Sequence, residues 1–354
     1  MRTIRLRTAF VSTVVKLLRI PLPTSINDNA KRAVADLKID VIIPVYRPGE
    51  ELFLLLDRLE HQTIPVGNII LMNTEKKYFE QLTHGTGFAD RYPNVKVRHI
   101  TKKEFDHGGT RHQGVMLSDA EIFITMTQDA LPADEYLVEK LTARLWGQVA
   151  AAYARQLPTA DCREAERAAR EFNYPPVSGI KSADDIGKLG VKTFFCSNVC
   201  AAYRREIYDV LGGFIRHTIF NEDMIYAAGA VRAGYGIAYE ADAKVFHSHN
   251  YTDVQQLRRN FDLGVSQADH PEIFAAIPSE SEGKKLVIET YIYLKNRKKL
   301  YLFPGFCKQC GFKYAGYLLG KHYKKLPRKW ILGITTNREY WEQCRDGAYC
   351  HKRQ

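Results

Sequence analysis

Hydrophobic positions along the chain fall into two alternating rhythms. Lys38 to Tyr46 (KIDVIIPVY) is a run of mostly β-branched apolar residues closed by Pro48-Gly49, the pattern of a strand buried on both faces. Glu50 to His61 then repeats leucine at helical spacing. Asn68 to Met72 predicts a second buried strand with a helix from about Glu75, and Val95 to Ile100 predicts a third strand. After the glycines of Asp106–Arg111, a helix leads into a fourth strand, Glu121 to Thr127. Strand and helix alternating at this spacing predict a parallel sheet covered on both faces. Beyond residue 150 the rhythm weakens. Thr193 to Tyr203 reads as a strand, Asn221 to Ala233 as a helix, and Gly236 to His247 as a hairpin or pair of short strands. There is no internal repeat.

Ligands of such sheets bind at the carboxyl ends of the strands. That rule puts Tyr46, Asn73-Thr74-Glu75, the Asp106–Arg111 segment and Gln128-Asp129 on one rim. Several candidates for chemistry lie there or downstream, each with two readings. Asp129, just past a buried strand, could hold a divalent cation or simply cap the next turn. Asn221-Glu222-Asp223 opens a helix, so one carboxylate could act as a base, or both could complement the helix dipole. His247-Ser248-His249 puts two imidazoles at i, i+2 on one strand face, able to reach one metal or phosphate or to serve structurally. Gly108-Gly109-Thr110-Arg111 offers backbone amides and a guanidinium to an anion, or only a turn. Cys307 and Cys310, with Cys344, Cys350 and His351, are too irregularly spaced to argue for zinc.

Composition narrows the setting. With 354 residues, 45% of them hydrophobic, the chain can bury a large core, which excludes disorder or a coiled coil as a description of the whole. Seven cysteines, an odd number over a long chain, do not form a secreted disulfide framework, and a cytoplasmic location is expected. No run of about 18 apolar residues predicts a membrane span. The apolar stretch Ala9 to Val15 is short and lacks a cleavage site, so it is not read as a signal peptide.

Charge is unevenly distributed. Residues 1–27 carry +5, residues 284–354 carry +13, and the body between carries −7. In the tail, bases interleave with Leu294, Leu300, Tyr301, Phe303, Phe306, Phe312, Tyr314 and Tyr317. Basic, apolar ends suit a polyanion; no nucleic-acid motif is present, so the expected partner is the anionic inner leaflet of a membrane and not nucleic acid. The alternative is a helical subdomain with a solvated basic face. The expected organisation is a basic segment 1–37, able to form an interfacial helix, a catalytic domain 38–270, and a basic helical region 271–354.

The order of these features over residues 38 to 265 resembles family 2 glycosyltransferases: Ile43-Pro44-Val45-Tyr46, an arginine motif, a strand-end aspartate, Leu211-Gly212-Gly213-Phe214, a Glu-Asp pair and a histidine. Phe105–Arg111, Thr127-Gln128-Asp129-Ala130 and His247-Ser248-His249-Asn250-Tyr251 are similar to the bacterial branch that transfers L-rhamnose from dTDP-L-rhamnose into cell-wall polysaccharides and O-antigens. The resemblance implies an α/β fold of the GT-A type, a Rossmann-like mixed sheet, with a helical C-terminal extension. Pro44, Tyr46, Asn73 and Glu75 would border the nucleoside. His107, Gly109, Arg111 and Gln128 would line the donor, and Asp129 with His247 would hold Mg²⁺ or Mn²⁺. Asp223 would be the general base, with Glu222, Asn198 and His249 as further candidates. Two departures stand out: Thr127 replaces the first Asp of the metal motif, and Asn73-Thr74-Glu75 replaces an Asp-rich strand end.

The reaction so implied is a single displacement with inversion, from a nucleotide-diphospho-sugar to a saccharide acceptor carried on a polyprenyl lipid. A UDP-sugar donor, an inert nucleotide-sugar-binding module of the same fold, and a glycoside hydrolase using the paired carboxylates are the rival readings.

Overall fold

The computed structural model describes residues 37–275 and 280–343. The basic run Ile4 to Ile20 and the residues Cys344, Cys350 and His351 lie outside the described residues. The four expected strands are present as β1 (Ile39–Tyr46), β2 (Ile69–Thr74), β3 (Val95–Ile100) and β4 (Ile122–Met126). They are parallel, in the order β3-β2-β1-β4. The sheet continues through β5 (Leu131–Pro132), β6 (Val149–Leu157), β7 (Gly179–Lys181), β8 (Cys200–Arg204) and β9 (Gly236–Phe246). Its second half is mixed: β8 runs antiparallel to β4 and β6, and β9 runs parallel to β6. The fold is thus α/β with a mixed sheet and a helical C-terminal part.

Alternation along β1 explains the two layers. Ile39, Val41, Ile43 and Val45 face one core with Leu52, Leu55, Leu56 and Leu59 of helix α1 (Glu51–Glu60). Ile42 faces the other core with Ile70, Met72 and Phe123. A buried carboxylate ties the strand starts: Asp40 accepts from the Asn68 amide at 2.7 Å and from the Ser118 hydroxyl at 2.7 Å. Helix α2 (Lys76–Thr83) follows β2.

Three expectations are corrected. The glycines of residues 108–109 lie inside the first turn of helix α3 (His107–Met116) and not in a loop before it. At Gly108 a Cβ would stand 1.9 Å from the Ile215 carbonyl oxygen, so the glycine permits a backbone-to-backbone contact. The strand expected over Thr193–Tyr203 begins only at Cys200; Gly190–Phe194 is a 3₁₀ turn, and the intervening residues turn Ser197 and Asn198 inward. Gly236–Phe246 is one strand, not a hairpin. Its register against β6 shifts between Ala154 and Arg155, where Glu240 folds back to accept from the Asp242 amide at 2.9 Å.

Helix α4 (Glu222–Arg232) precedes β9, and α5 (Asp253–Asp269) follows it. The tail forms α6 (Glu280–Asn296), α7 (Phe303–Lys321), α8 (Arg328–Ile334) and α9 (Arg338–Gln343). Helices α5 and α7 touch backbone to backbone. Added Cβ atoms on Gly316 and Gly320 would lie 2.1 Å from the Leu257 and Phe261 carbonyl oxygens, and one on Gly264 would lie 2.4 Å from that of Tyr317. Ile219, Phe261, Val265, Tyr323, Ile331, Tyr340 and Trp341 fill the core between α5 and the tail. No described helix is long and apolar enough to cross a membrane.

Candidate active site

The rim predicted from the strand ends is formed. At β1 the Tyr46 amide donates to Gln128 Oε1 at 2.8 Å, and the Gln128 amide donates back to the Tyr46 carbonyl at 3.0 Å. This pair stitches the Pro44–Tyr46 turn to the segment that carries Asp129. The Tyr46 ring meets Tyr78 edge-on at 5.9 Å, with the Lys102 ammonium 5.3 Å from its centre. Glu75 takes a left-handed backbone conformation (φ 68°) and accepts the Lys102 amide at 2.9 Å. Asn73 is fully buried with its amide 2.9 Å from His99 Nδ1.

Asp129 meets both histidines. His247 Nε2 lies 3.6 Å and His249 Nε2 3.3 Å from its carboxylate oxygens, and the potential ligand atoms of all three lie within 4.8 Å of one another. Sequence reasoning missed the residue that orients them, Gln156. Its amide donates to the Tyr174 hydroxyl at 2.6 Å and to Ser197 Oγ at 3.0 Å. Its carbonyl oxygen accepts from Arg170 and faces His247 Nδ1 at 2.9 Å. Arginine can only donate, so this oxygen is fixed as an acceptor, and His247 Nδ1 must carry the proton. The lone pair on His247 Nε2 therefore points at a carboxylate. Two electron-rich groups held face to face need a cation or a proton between them, and the mixed set of one carboxylate and two imidazoles fits a divalent metal ion. Burial pushes His247 down to about 3 and lowers His249 as well, so both are neutral ligands at neutral pH. Burial opposes ionisation of Asp129, but a proton taken up by His247 or His249 favours the carboxylate, and the balance holds it below its usual range.

The second centre is the acid pair. Asn221 sits at φ 63°, a left-handed conformation that asparagine tolerates, and anchors its amide on Ser266 Oγ at 3.2 Å. Glu222 turns inward to a buried ion pair with Arg111 at 3.1 Å and accepts the Asn198 side-chain amide at 3.0 Å. Asp223 accepts the backbone amides of Asn198 at 3.0 Å and Met224 at 2.8 Å. The adjacent acids therefore have different surroundings. Burial would raise Glu222, but Arg111 outweighs it and holds Glu222 low and ionised. Burial, and then the charge of Glu222, push Asp223 up to about 7.

Arg111 is 6% exposed and also donates to the His107 carbonyl at 3.0 Å, so it underlies the acid pair instead of standing open on the rim. His107 packs between Phe105 and Phe220, and burial lowers it to about 4. The amide that the sequence offers to an anion at Gly109 is taken by the chain itself: it donates to Asp106 Oδ1 at 2.6 Å, and Asp106 also accepts from His217 and Thr218.

The two centres are linked through one short segment. Ser197 accepts from Gln156, which holds His247, and the next residue, Asn198, holds both Asp223 and Glu222. Asn198 is itself fixed, its oxygen accepting from Thr125 and Tyr203 at 2.7 Å each. A base poised near neutrality and a carboxylate–imidazole cluster share one scaffold, an arrangement suited to moving a proton beside a charged leaving group.

Comparisons with known proteins show the family and the fold. The model of the family Glycosyl transferase family 2 matches residues 40–212. The O-antigen chain rhamnosyltransferase RfbN of Salmonella typhimurium is 38% identical over 309 residues, covering 86% of this chain and 96% of that protein. The O-antigen chain rhamnosyltransferase WbaN of Salmonella anatum is 40% identical over 257 residues, covering 72% and 81%. Among solved structures, the mannosyltransferase PcManGT from Pyrobaculum calidifontis, in complex with GDP-Man and Mn²⁺, matches with a TM-score of 0.50. It is 16% identical and covers 94% of this chain and 91% of that one, a likeness of fold.

Proposed function

The chain belongs to glycosyl transferase family 2, and from that premise we propose that it is an inverting rhamnosyltransferase of bacterial cell-surface polysaccharide synthesis. The donor in this reading is dTDP-β-L-rhamnose and the acceptor a saccharide carried on a polyprenyl lipid. The observation that carries it is the environment of Asp223: a carboxyl raised to about 7, one hydrogen-bonded segment away from the Asp129–His247–His249 cluster.

Asp223 takes the proton of the acceptor hydroxyl as that oxygen attacks the sugar carbon, while the bond to the diphosphate breaks on the other side. The backbone amides of Asn198 and Met224 fix the carboxylate, and Glu222, held ionised by Arg111, raises its basicity without competing for the proton. Asp129, His247 and His249 are the residues that would hold Mg²⁺ or Mn²⁺, with Gln156 setting the tautomer of His247. When bound, such an ion supplies charge stabilisation to the departing diphosphate. Two imidazoles in the set favour Mn²⁺ over the oxygen-seeking Mg²⁺. Tyr46, Asn73 and Glu75 border the nucleoside, with Lys102 beside them; Pro44, Gln128, His107 and Gly109 shape the walls.

In this reading residues 38–270 form the catalytic unit. The basic ends, 1–37 and 271–354, hold it at the cytoplasmic face of the membrane. Exposed Ile288, Ile292, Tyr301, Tyr314 and Trp330 among the tail's lysines support that placement. The test is nucleotide release from a panel of dTDP-, UDP- and GDP-sugars, with Mn²⁺, Mg²⁺ or EDTA, in the presence of lipid-linked saccharides. Acceptor-dependent release of dTDP from dTDP-rhamnose is expected. Release from a UDP-sugar alone would reassign the donor, and binding with no acceptor-dependent release would make the protein an inert module.

A further inference from the structure

A cavity of about 570 Å³ lies between the rim and the C-terminal helices. Lys102 and Tyr251 wall it from the sheet side, Arg258 and Arg259 from α5, and Arg338 and Glu339 from α9. Lys102 and Glu339 face each other at 3.8 Å and cancel. Among the described residues, Arg258, Arg259 and Arg338 form no ion pair with a carboxylate. Three guanidiniums around one cavity repel one another when it is empty and are relieved by a multivalent anion.

Arg259 stands at the junction of the two centres. Its guanidinium lies 4.7 Å from the Phe220 ring, next to the acid pair, and 5.7 Å from the Tyr251 ring, two residues past His249. A guanidinium set beside aromatic rings can still present its planar N–H edge to the bidentate bonds that phosphate oxygens accept. Arg338 is held opposite. Asp262, on the same face of α5, accepts from the Thr335 hydroxyl at 2.7 Å and the Thr336 amide at 2.8 Å, and Arg338 Nε is fixed on the Leu332 carbonyl at 2.9 Å.

We propose that this cavity is a diphosphate site, gripped by Arg259 from the catalytic unit and Arg338 from the tail, so that the C-terminal helices complete a substrate site. The inference rests on the glycosyltransferase reading and assigns a second role to a region otherwise cast as a membrane surface. The diphosphate can be that of the sugar nucleotide or that of the lipid carrying the acceptor.

Calorimetric titration of the full chain with dTDP, dTMP and farnesyl diphosphate, in EDTA and in Mn²⁺, separates these sources. Arg259→Gln and Arg338→Gln are expected to weaken a diphosphate at least about tenfold in both buffers while changing dTMP far less. Arg259→Lys should fall between. Both side chains are exposed, so folding is retained, and circular dichroism checks it. A loss confined to dTDP assigns the donor, and one confined to farnesyl diphosphate assigns the lipid. Wild-type binding with unchanged affinity in both variants overturns the inference and leaves the family reading intact. A wild-type chain that binds none of the three would contradict both.

Discussion

At the scale of single residues, the account turns on neighbouring acids made unlike by their surroundings. Glu222 is held ionised by Arg111, and Asp223 is held near neutrality by burial and by Glu222. Asp223→Asn should lower kcat by about 10² to 10⁴ while donor affinity is kept, which single-turnover and binding measurements can separate. In the wild type, kcat/KM should rise with pH through a limb near 7. Stability should respond in the opposite sense. Because the folded chain holds this proton more tightly than the unfolded chain does, stability is lost as pH rises from about 4 through about 7. Asp223→Asn removes that loss, so the inactive variant should melt several degrees higher than the wild type at pH 8, with a smaller gap at pH 5. Equal melting temperatures at both pH values would mean that Asp223 is not held protonated.

At the scale of elements, legibility followed signal strength. Strands β1 to β4 were readable because each is a compact β-branched run between polar turns, and Asp129, Asp223 and the two histidines because they stand at element ends. The strand Val149–Leu157 was not, since Ala150-Ala151-Ala152 carries no β-branched signal and its partners are distant in sequence. Gln156 lies within that strand, and Arg259 sits beside Arg258 on a helix; neither has a local signature, only spatial partners. The glycines of the tail read as an ordinary helix, yet Gly316 and Gly320 let α7 lie against the backbone of α5. Gly320→Leu should force these helices apart, costing about 1–3 kcal/mol or more by overpacking. It should also weaken diphosphate binding, because α9 would lose its place over the cavity. Retained thermal stability in that variant would show that the contact is dispensable.

At the scale of the whole molecule, a body of net charge −7 is flanked by ends of +5 and +13, and the tail both packs on α5 and exposes aromatic and aliphatic side chains. Replacing Tyr301 and Trp330 by serine should reduce sedimentation with anionic vesicles severalfold and leave transfer to a soluble acceptor unchanged. Binding that survives both the substitutions and high salt would argue against a docking surface.

The central claim is that Asp223 delivers the acceptor from the face opposite the departing diphosphate. The most direct measurement is the anomeric configuration of the product formed from dTDP-β-L-rhamnose, read by NMR from the one-bond carbon–proton coupling at C1. An α-rhamnoside is the predicted result; a β-rhamnoside would contradict the single displacement and the role of Asp223 with it.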